Sequence, residues 1–313
     1  MESMTRTLVI GGSGFIGRSL LIALAEAGRS ITSLDREAPS DLKKNNNVSY
    51  ISGDYGDIDL IEGLLVLHDE VIHLAHATRP NTISTTTYSD LSQNLEPTVQ
   101  LFELASKHSI HLMFVSSGGT VYGESKDLLI SEDHPTNPIS PYGLTKLTLE
   151  KYAYFYAVTR NLNVVIVRPG NPYGEGQFPF SGQGFVSTAL ALGISGGEVS
   201  IFGKEGAVRD YLYIQDLVVG MVTVLNNTKG FDIYNIGSSV GRSNLDVVDS
   251  INKLLLSKGL KALVVNYESE RAFDVRSNVL NSNKLESLGW KCQVDFQDGL
   301  NRFYNWMYLE GML

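Results

Sequence analysis

Through the first half of the chain, short β-branched runs alternate with longer stretches in which apolar residues recur every three to four positions. These two periods predict strands at residues 7–10, 30–34, 48–51, 70–74, 111–116 and 164–167, and helices at 15–27, 91–108 and 142–160. Alternating strand and helix argues for a parallel sheet covered on both faces, and right-handed crossovers make it doubly wound. After Arg168-Pro169 the texture changes. Residues 170–207 are rich in Gly, Pro and Phe and carry little periodicity. Beyond them lie strand-like 211–214, helical 216–225, a strand at 231–236, a helix at 244–256 and a last helix from near Asp298. The expected architecture is α/β. Residues 1–170 plus about 208–238 build the doubly wound parallel sheet, and about 171–207 plus 239–313 build a smaller, discontinuous lobe.

A chain of 313 residues with 43% apolar and 19% charged residues can bury a sizeable core without staples. Its net charge of −9, with no basic tract, makes it a poor nucleic-acid or anionic-membrane binder, so no such partner is expected and any phosphate site must be local. The single cysteine, Cys292, rules out an internal disulfide and fits a reducing cytoplasm. The first residues are too short and too soon interrupted by glycine for a signal peptide, and no stretch approaches the roughly 20 apolar residues of a membrane span. Six histidines and one cysteine form no zinc pattern. His73 and His76, three apart on a strand, would face opposite sides, so no metal site is expected.

Gly11-Gly12-Ser13-Gly14-Phe15-Ile16-Gly17 joins the first strand to the first helix. The glycine spacing alone is a weak signal; its place between strand and helix makes it a dinucleotide cradle, where backbone N–H groups and the helix N-terminus approach a pyrophosphate. Asp35 ends the second strand, 18 residues past Gly17. A carboxylate there accepts from both adenosine ribose hydroxyls and repels a 2′-phosphate, which favours NAD over NADP, although Arg36 stands beside it. Asp54 falls where it could border the adenine, and equally reads as a turn acid beside Gly53.

Tyr-x-x-x-Lys occurs twice, as Tyr122/Lys126 and Tyr142/Lys146. The first lies in a post-strand loop, where a spacing of four has no fixed geometry. The second follows Pro141, a helix-start residue, and opens a long helical pattern in which residues four apart share a face. A tyrosine with an ordinary pKa of about 10 needs a shift of up to about three units, roughly 4 kcal/mol, to serve as a base near pH 7. A neighbouring ammonium and a positively charged nicotinamide ring can supply it.

Together, Gly11-x-x-Gly14-x-x-Gly17, Asp35, Val-Ile-His73-Leu-Ala75, Asn94, Ser-Ser-Gly-Gly-Thr-Val-Tyr-Gly at 116–123, Tyr142-x-x-x-Lys146 and Arg209-Asp210-Tyr211-Leu212-Tyr213-Ile214-Gln215-Asp216 resemble the extended short-chain dehydrogenase/reductase family over essentially the whole chain. Within it, the likeness is to UDP-galactose 4-epimerases and their N-acetylhexosamine relatives. The resemblance implies a Rossmann domain holding NAD through Gly11, Gly14, Phe15, Ile16, Gly17, Asp35, Asp54, Ala75 and Asn94 as well as Tyr142 and Lys146. It implies Tyr142 as base and Lys146 as its partner. Arg209 and Arg271 would clamp the nucleotide diphosphate of a UDP-sugar, Asn171 would contact it, Asp274 would bind the ribose, and Asn278 would border the sugar's C2 substituent. It also implies a homodimer through the Tyr-x-x-x-Lys helix and the preceding long helix.

Four positions depart from that pattern. Gly118 stands where the epimerases carry a third hydroxyl, leaving Ser117 or Thr120 to meet the sugar's 4-oxygen. Thr78, with Arg79 beside it, replaces a lysine. Gly119-Thr120 replaces the Asp-Glu pair with which the family's 4,6-dehydratases eliminate water. The reading is NAD-dependent C4 epimerisation of a UDP-hexose or UDP-N-acetylhexosamine. Its rivals are a reductase of a nucleotide-linked 4-keto-6-deoxy sugar and a non-catalytic NAD-binding protein.

Overall fold

The computed structural model describes residues 4–37, 47–77, 91–182, 184–269 and 275–312. Its central sheet is built from β1 (Arg6–Ile10), β2 (Ser30–Asp35), β3 (Val48–Ser52), β4 (Glu70–His73), β5 (His111–Val115), β6 (Val164–Pro169) and β10 (Asp232–Ile236). The order is β10-β6-β5-β4-β1-β2-β3, and every pairing is parallel. β6 is buried along its whole length and β1 at all but its first residue, as strands covered on both faces must be. Alternate side chains serve opposite cores. Val9, Met113, Val165 and Val167 face one core, and Leu8, Ile10, Phe114, Val164 and Ile166 face the other.

Helices complete both layers. Leu20, Leu21 and Leu24 of α1 (Phe15–Glu26) pack into the first core. Ile61, Leu64 and Leu65 of α2 (Ile58–Leu65), with Leu101 and Phe102 of α3 (Glu96–Lys107), fill the second. The expected helix at 91–108 opens as a π turn, Leu91–Leu95, before settling into α3. A short α4 (Gly118–Val121) lies inside the segment read as loop, and α5 (Pro141–Arg160) is the long helix that carries Tyr142 and Lys146. No helix among the described residues is long and apolar enough to cross a membrane.

After β6 the chain leaves the large sheet. β7 (Asn171–Tyr173), β9 (Val208–Tyr213), β11 (Gly241–Arg242) and β13 (Ser277–Asn278) form a second sheet around β9, while β8 (Glu198–Phe202) and β12 (Val264–Glu268) pair by themselves. Residues 170–207 are therefore more regular than their sequence suggests. They hold α6 (Phe185–Ser195), which buries Val186, Ser187, Ala189, Leu190, Ala191 and Gly193 on several sides. A helix buried nearly all round has no polar face, hence no periodic signature. Next come α7 (Ile214–Asn227), α8 (Asn244–Ser257), a short α9 (Asn283–Glu286) and α10 (Phe296–Leu309). Asp216 latches the C-terminal segment to α7 by accepting from the amides of Gln293 and Val294.

One buried ion pair ties the large sheet to α5. Arg168 of β6 and Glu150 of α5 meet at 2.5 Å with side chains only 3% and 2% exposed. Glu150 also accepts from Ser116 Oγ at 2.5 Å, and Arg168 donates to the Tyr122 hydroxyl at 2.8 Å. That hydroxyl in turn donates to Asn235 Oδ1 at 2.7 Å. Removing one member leaves the other charge buried and unpaired, a loss of about 3–5 kcal/mol. Arg168→Met should therefore lower unfolding free energy by about that much in urea titration. The double variant Glu150→Met/Arg168→Met, which removes both charges, should lose less.

Candidate active site

The crevice lies at the carboxyl ends of β1 and β4, where the strand order reverses. Gly11 leaves β1 with φ +95°, and a Cβ there would stand 2.8 Å from the Ala75 amide nitrogen. A Cβ on Gly17 would reach 2.5 Å from the Gly11 carbonyl oxygen. Neither position has room for a side chain. Gly14, the N-cap of α1, is exposed, and a Cβ on it meets only the Gly11 carbonyl, at 3.5 Å. The loop is thus closed toward the protein and open over the helix N-terminus, as a backbone cradle for a pyrophosphate requires. Phe15 and Ile16, half-buried, pack their side chains against the core beneath it.

Asp35, at the end of β2, accepts from the Ser13 amide at 3.0 Å and hydroxyl at 2.6 Å, and from Ser33 Oγ at 2.7 Å. Its carboxylate is therefore oriented by the glycine loop itself. Asp54 is exposed and accepts from the Gly56 amide at 2.9 Å, which is turn geometry. Ala75 donates its amide to the Ile10 carbonyl at 3.0 Å. Asn94, fully buried in the π turn, accepts from the Ala77 amide at 2.7 Å. The cradle thus fits the adenosine diphosphate half of a dinucleotide.

Tyr142 and Lys146 stand one turn apart on α5. Ser140 caps this helix by accepting from the Gly143 amide at 3.1 Å, and Pro141 starts it. Lys146 is 2% exposed and donates to the Val115 carbonyl, the last of β5, at 2.8 Å. Its ammonium lies 5.0 Å from the Phe114 ring centre and 5.8 Å from that of Tyr142. Tyr122 sits elsewhere, with no exposed surface, its hydroxyl shared between Arg168 and Asn235; burial pushes its pKa up to about 12. A phenol held so firmly in its neutral form is a structural group.

The 117–120 turn abuts the start of α5, since a Cβ on Gly143 would lie 2.8 Å from the Thr120 carbonyl oxygen. Asn171, from β7, lies beside it: a Cβ on Gly119 would be 3.8 Å from Asn171 Nδ2 and 4.0 Å from Ser117 Oγ. Asn278, from β13, donates Nδ2 to the Gly118 carbonyl at 3.0 Å. Around this one turn, Thr120 Oγ1, Asn171 Nδ2 and Asn278 Oδ1 are buried without hydrogen-bond partners. Such groups cost free energy unless a bound molecule or water satisfies them. Arg209 pairs with Asn278 in the sheet register and is half-buried. Arg271, Asp274, Thr78 and Arg79 lie outside the described residues.

Leu280 was not legible as part of this region, because it is brought here by a bridge to Ile130 and by the bond its amide donates to Asp210, both far away in sequence. A Cβ on Gly118 would stand 2.6 Å from Leu280 Cδ1 and 3.0 Å from the Arg168 carbonyl oxygen, so a side chain there would have to displace Leu280. His73 lies under Tyr55 and Phe114, and burial, with help from Lys146, pushes its pKa down to about 3. His76 is not on a strand: β4 ends at His73, and the His76 ring meets Tyr142 edge-on at 4.7 Å. Among the described residues no group of three His, Cys, Asp or Glu side chains could hold a metal.

Residues 7–237 match the model of the NAD dependent epimerase/dehydratase family. A putative UDP-glucose 4-epimerase of Methanocaldococcus jannaschii is 33% identical over 306 residues, covering 96% of this chain and 97% of that protein. A dTDP-4-dehydro-6-deoxyglucose reductase of Escherichia coli is 30% identical over 306 residues, covering 94% and 95%. The crystal structure of UDP-glucose 4-epimerase of Thermotoga maritima with UDP-glucose superposes with a TM-score of 0.89 at 28% identity, covering 99% of this chain and 100% of that one. The Thermus thermophilus UDP-glucose 4-epimerase complex with NAD gives 0.86 at 29% identity, covering 97% and 99%.

The packing at Gly118 has a measurable consequence. Gly118→Ser should destabilise the protein by about 1–3 kcal/mol through overpacking, seen as a lowered thermal midpoint. Pairing it with Leu280→Ala, which vacates the contested space, should add less than the sum of the two single losses.

Proposed function

Because this chain belongs to the NAD dependent epimerase/dehydratase family, we propose that it interconverts the C4 epimers of a UDP-linked hexose or N-acetylhexosamine. The observation that carries this reading is the 117–120 turn. It places hydroxyls and orphan polar atoms beside the Tyr142 helix and offers no carboxylate at 119–120 for water elimination. The reductase reading uses the same tyrosine and lysine, and the Escherichia coli relative supports it. The two readings part on whether cofactor is consumed.

Bound NAD supplies reversible acceptance of the C4 hydrogen with its electron pair. Gly11, Gly14, Gly17 and Asp35, with Ala75 and Asn94, would hold it. Tyr142 takes the proton of the sugar's 4-hydroxyl as the C4–H bond breaks, and gives it back after the 4-keto sugar has presented its other face. Lys146 stabilises the Tyr142 phenolate, its own position set by the Val115 carbonyl. Ser117 or Thr120 hydrogen-bonds the 4-oxygen. Arg209, Arg271 and Asn171 anchor the diphosphate, and Asp274 the ribose, so that binding energy remote from C4 keeps the intermediate in place while the hexose turns. Asn278 borders the C2 substituent. With Nδ2 given to Gly118, its Oδ1 is left to accept from an N-acetyl N–H or a 2-hydroxyl. Leu144, Tyr154, Phe155 and Val158 of α5 are exposed, an apolar face that suits homodimerisation.

The reading is tested by incubating the pure protein, without added cofactor, with a panel of nucleotide sugars and following the anomeric protons by NMR. Epimerisation without net redox change is expected; turnover only with added reduced cofactor would favour the reductase. In that assay Tyr142→Phe should lower kcat by at least roughly 10²–10⁴-fold, as for loss of a general base. Tyr122→Phe should instead retain turnover and lose about 1–3 kcal/mol of stability, since Asn235 loses its donor. Separately, Asn278→Tyr should depress activity on UDP-N-acetylglucosamine more than on UDP-glucose; equal loss on both would remove Asn278 from the C2 pocket.

A further inference from the structure

His76 takes no part in the proposed chemistry, yet its imidazole packs against the proposed base. The two rings meet edge to face, 4.7 Å between centres and 84° between planes. That geometry is the favoured one for aromatic pairs. The backbone beneath the imidazole is fixed on both sides. The Ala75 amide donates to the Ile10 carbonyl at 3.0 Å, and the Ala77 amide donates to Asn94 Oδ1 at 2.7 Å. Asn94 is itself fully buried. Ala75 is also the residue against which Gly11 is closed, so the glycine cradle, His76 and Tyr142 form one chain of contacts.

We propose that His76 is a positioning residue, a ring on a pinned segment that holds the Tyr142 phenol in register with Lys146 and with the dinucleotide cradle. This deepens the functional reading and rests on Tyr142 being the base. The described titratable or charged groups facing the imidazole are Lys146 and Tyr142 on α5 and His73 on β4. Burial first, then the Lys146 ammonium and His73, push the His76 pKa down. A proton on His76 would stand near the Lys146 ammonium on a half-buried ring. The ring therefore packs on Tyr142 through the working pH range without adding charge to it.

The test compares wild type, His76→Ala and His76→Phe. His76→Ala should lower kcat about 2- to 12-fold with KM little changed, the loss expected when one aromatic pair stops orienting a reacting group. His76→Phe, which keeps a neutral ring, should recover most of that loss. The pH–rate profiles of wild type and His76→Phe should have the same limbs between pH 5 and 9. A second readout needs no turnover. Carbon-13 relaxation of the Tyr142 ring, assigned by its absence in Tyr142→Phe, should show a rigid ring in wild type and His76→Phe and a mobile one in His76→Ala. The proposal is overturned if His76→Ala leaves kcat and ring order as in wild type, if His76→Phe is as impaired as His76→Ala, or if a limb near pH 6–7 vanishes in His76→Phe. Should the relaxation result hold in a protein that turns over no nucleotide sugar, the functional reading fails and only the ordering of the Tyr142 ring by His76 stands.

Discussion

The contact between Glu150 and Arg168 governs how the halves of the site meet. Both side chains are almost wholly buried, so each charge needs the other. Glu150 lies one helical turn beyond Lys146 on the same face of α5. Arg168 is the last residue but one of β6; Ser116, which donates to Glu150, and Tyr122, whose hydroxyl accepts from Arg168, stand at the two ends of the turn that carries Ser117 and Thr120. A helix, a strand and a loop are locked together by groups that cannot be left unpaired. Hydrophobic contact is non-directional and would hold the same elements together without fixing their register.

The second constraint lies at the other edge of the crevice. β1 and β4 are neighbours because the strand order reverses there, and their carboxyl ends bring Gly11 against Ala75. The cradle has no side chain on its protein side and open space over the helix N-terminus. Lys146 reaches across to the end of β5, so its charge is placed by the main chain of the sheet. In this way the dinucleotide cradle and the tyrosine–lysine pair are referred to one rigid object, the row of strand ends. The side proposed to hold the sugar nucleotide is built differently. Asn171 and Asn278 come from strands paired to β9 in the smaller sheet, and both approach the 117–120 turn from outside the large sheet. Polar atoms left without partners at that junction mark where the protein alone is incomplete.

Most of the large sheet was legible because its strands and helices carry opposite periodicities and strong boundary residues. Pro141 and Ser140 announce α5, and the glycines announce the end of β1. The segment between β6 and β9 was opaque for a physical reason. α6 is buried on several sides, so its apolar residues are spread round the helix, and nothing in it repeats at 3.6 residues. The π turn before α3 was equally invisible, since its register depends on Asn94 reaching the Ala77 amide, a contact 17 residues away in sequence. His76 was assigned to a strand that ends three residues earlier.

What the chain determined by itself is the chemistry of each part. Glycines fix where backbone can approach a phosphate, Asp35 puts a carboxylate at the end of β2, and a spacing of four on a helix puts Tyr142 and Lys146 on one face. These are local properties, set by residue type and by periods of a few residues. Only the tertiary structure decided which tyrosine is sealed in the core, what a side chain at Gly118 would meet, and which ring rests on Tyr142. Those outcomes depend on Arg168, Leu280 and His76 arriving from distant parts of the chain. Their arrival is set by strand order and register, which no short-range pattern encodes.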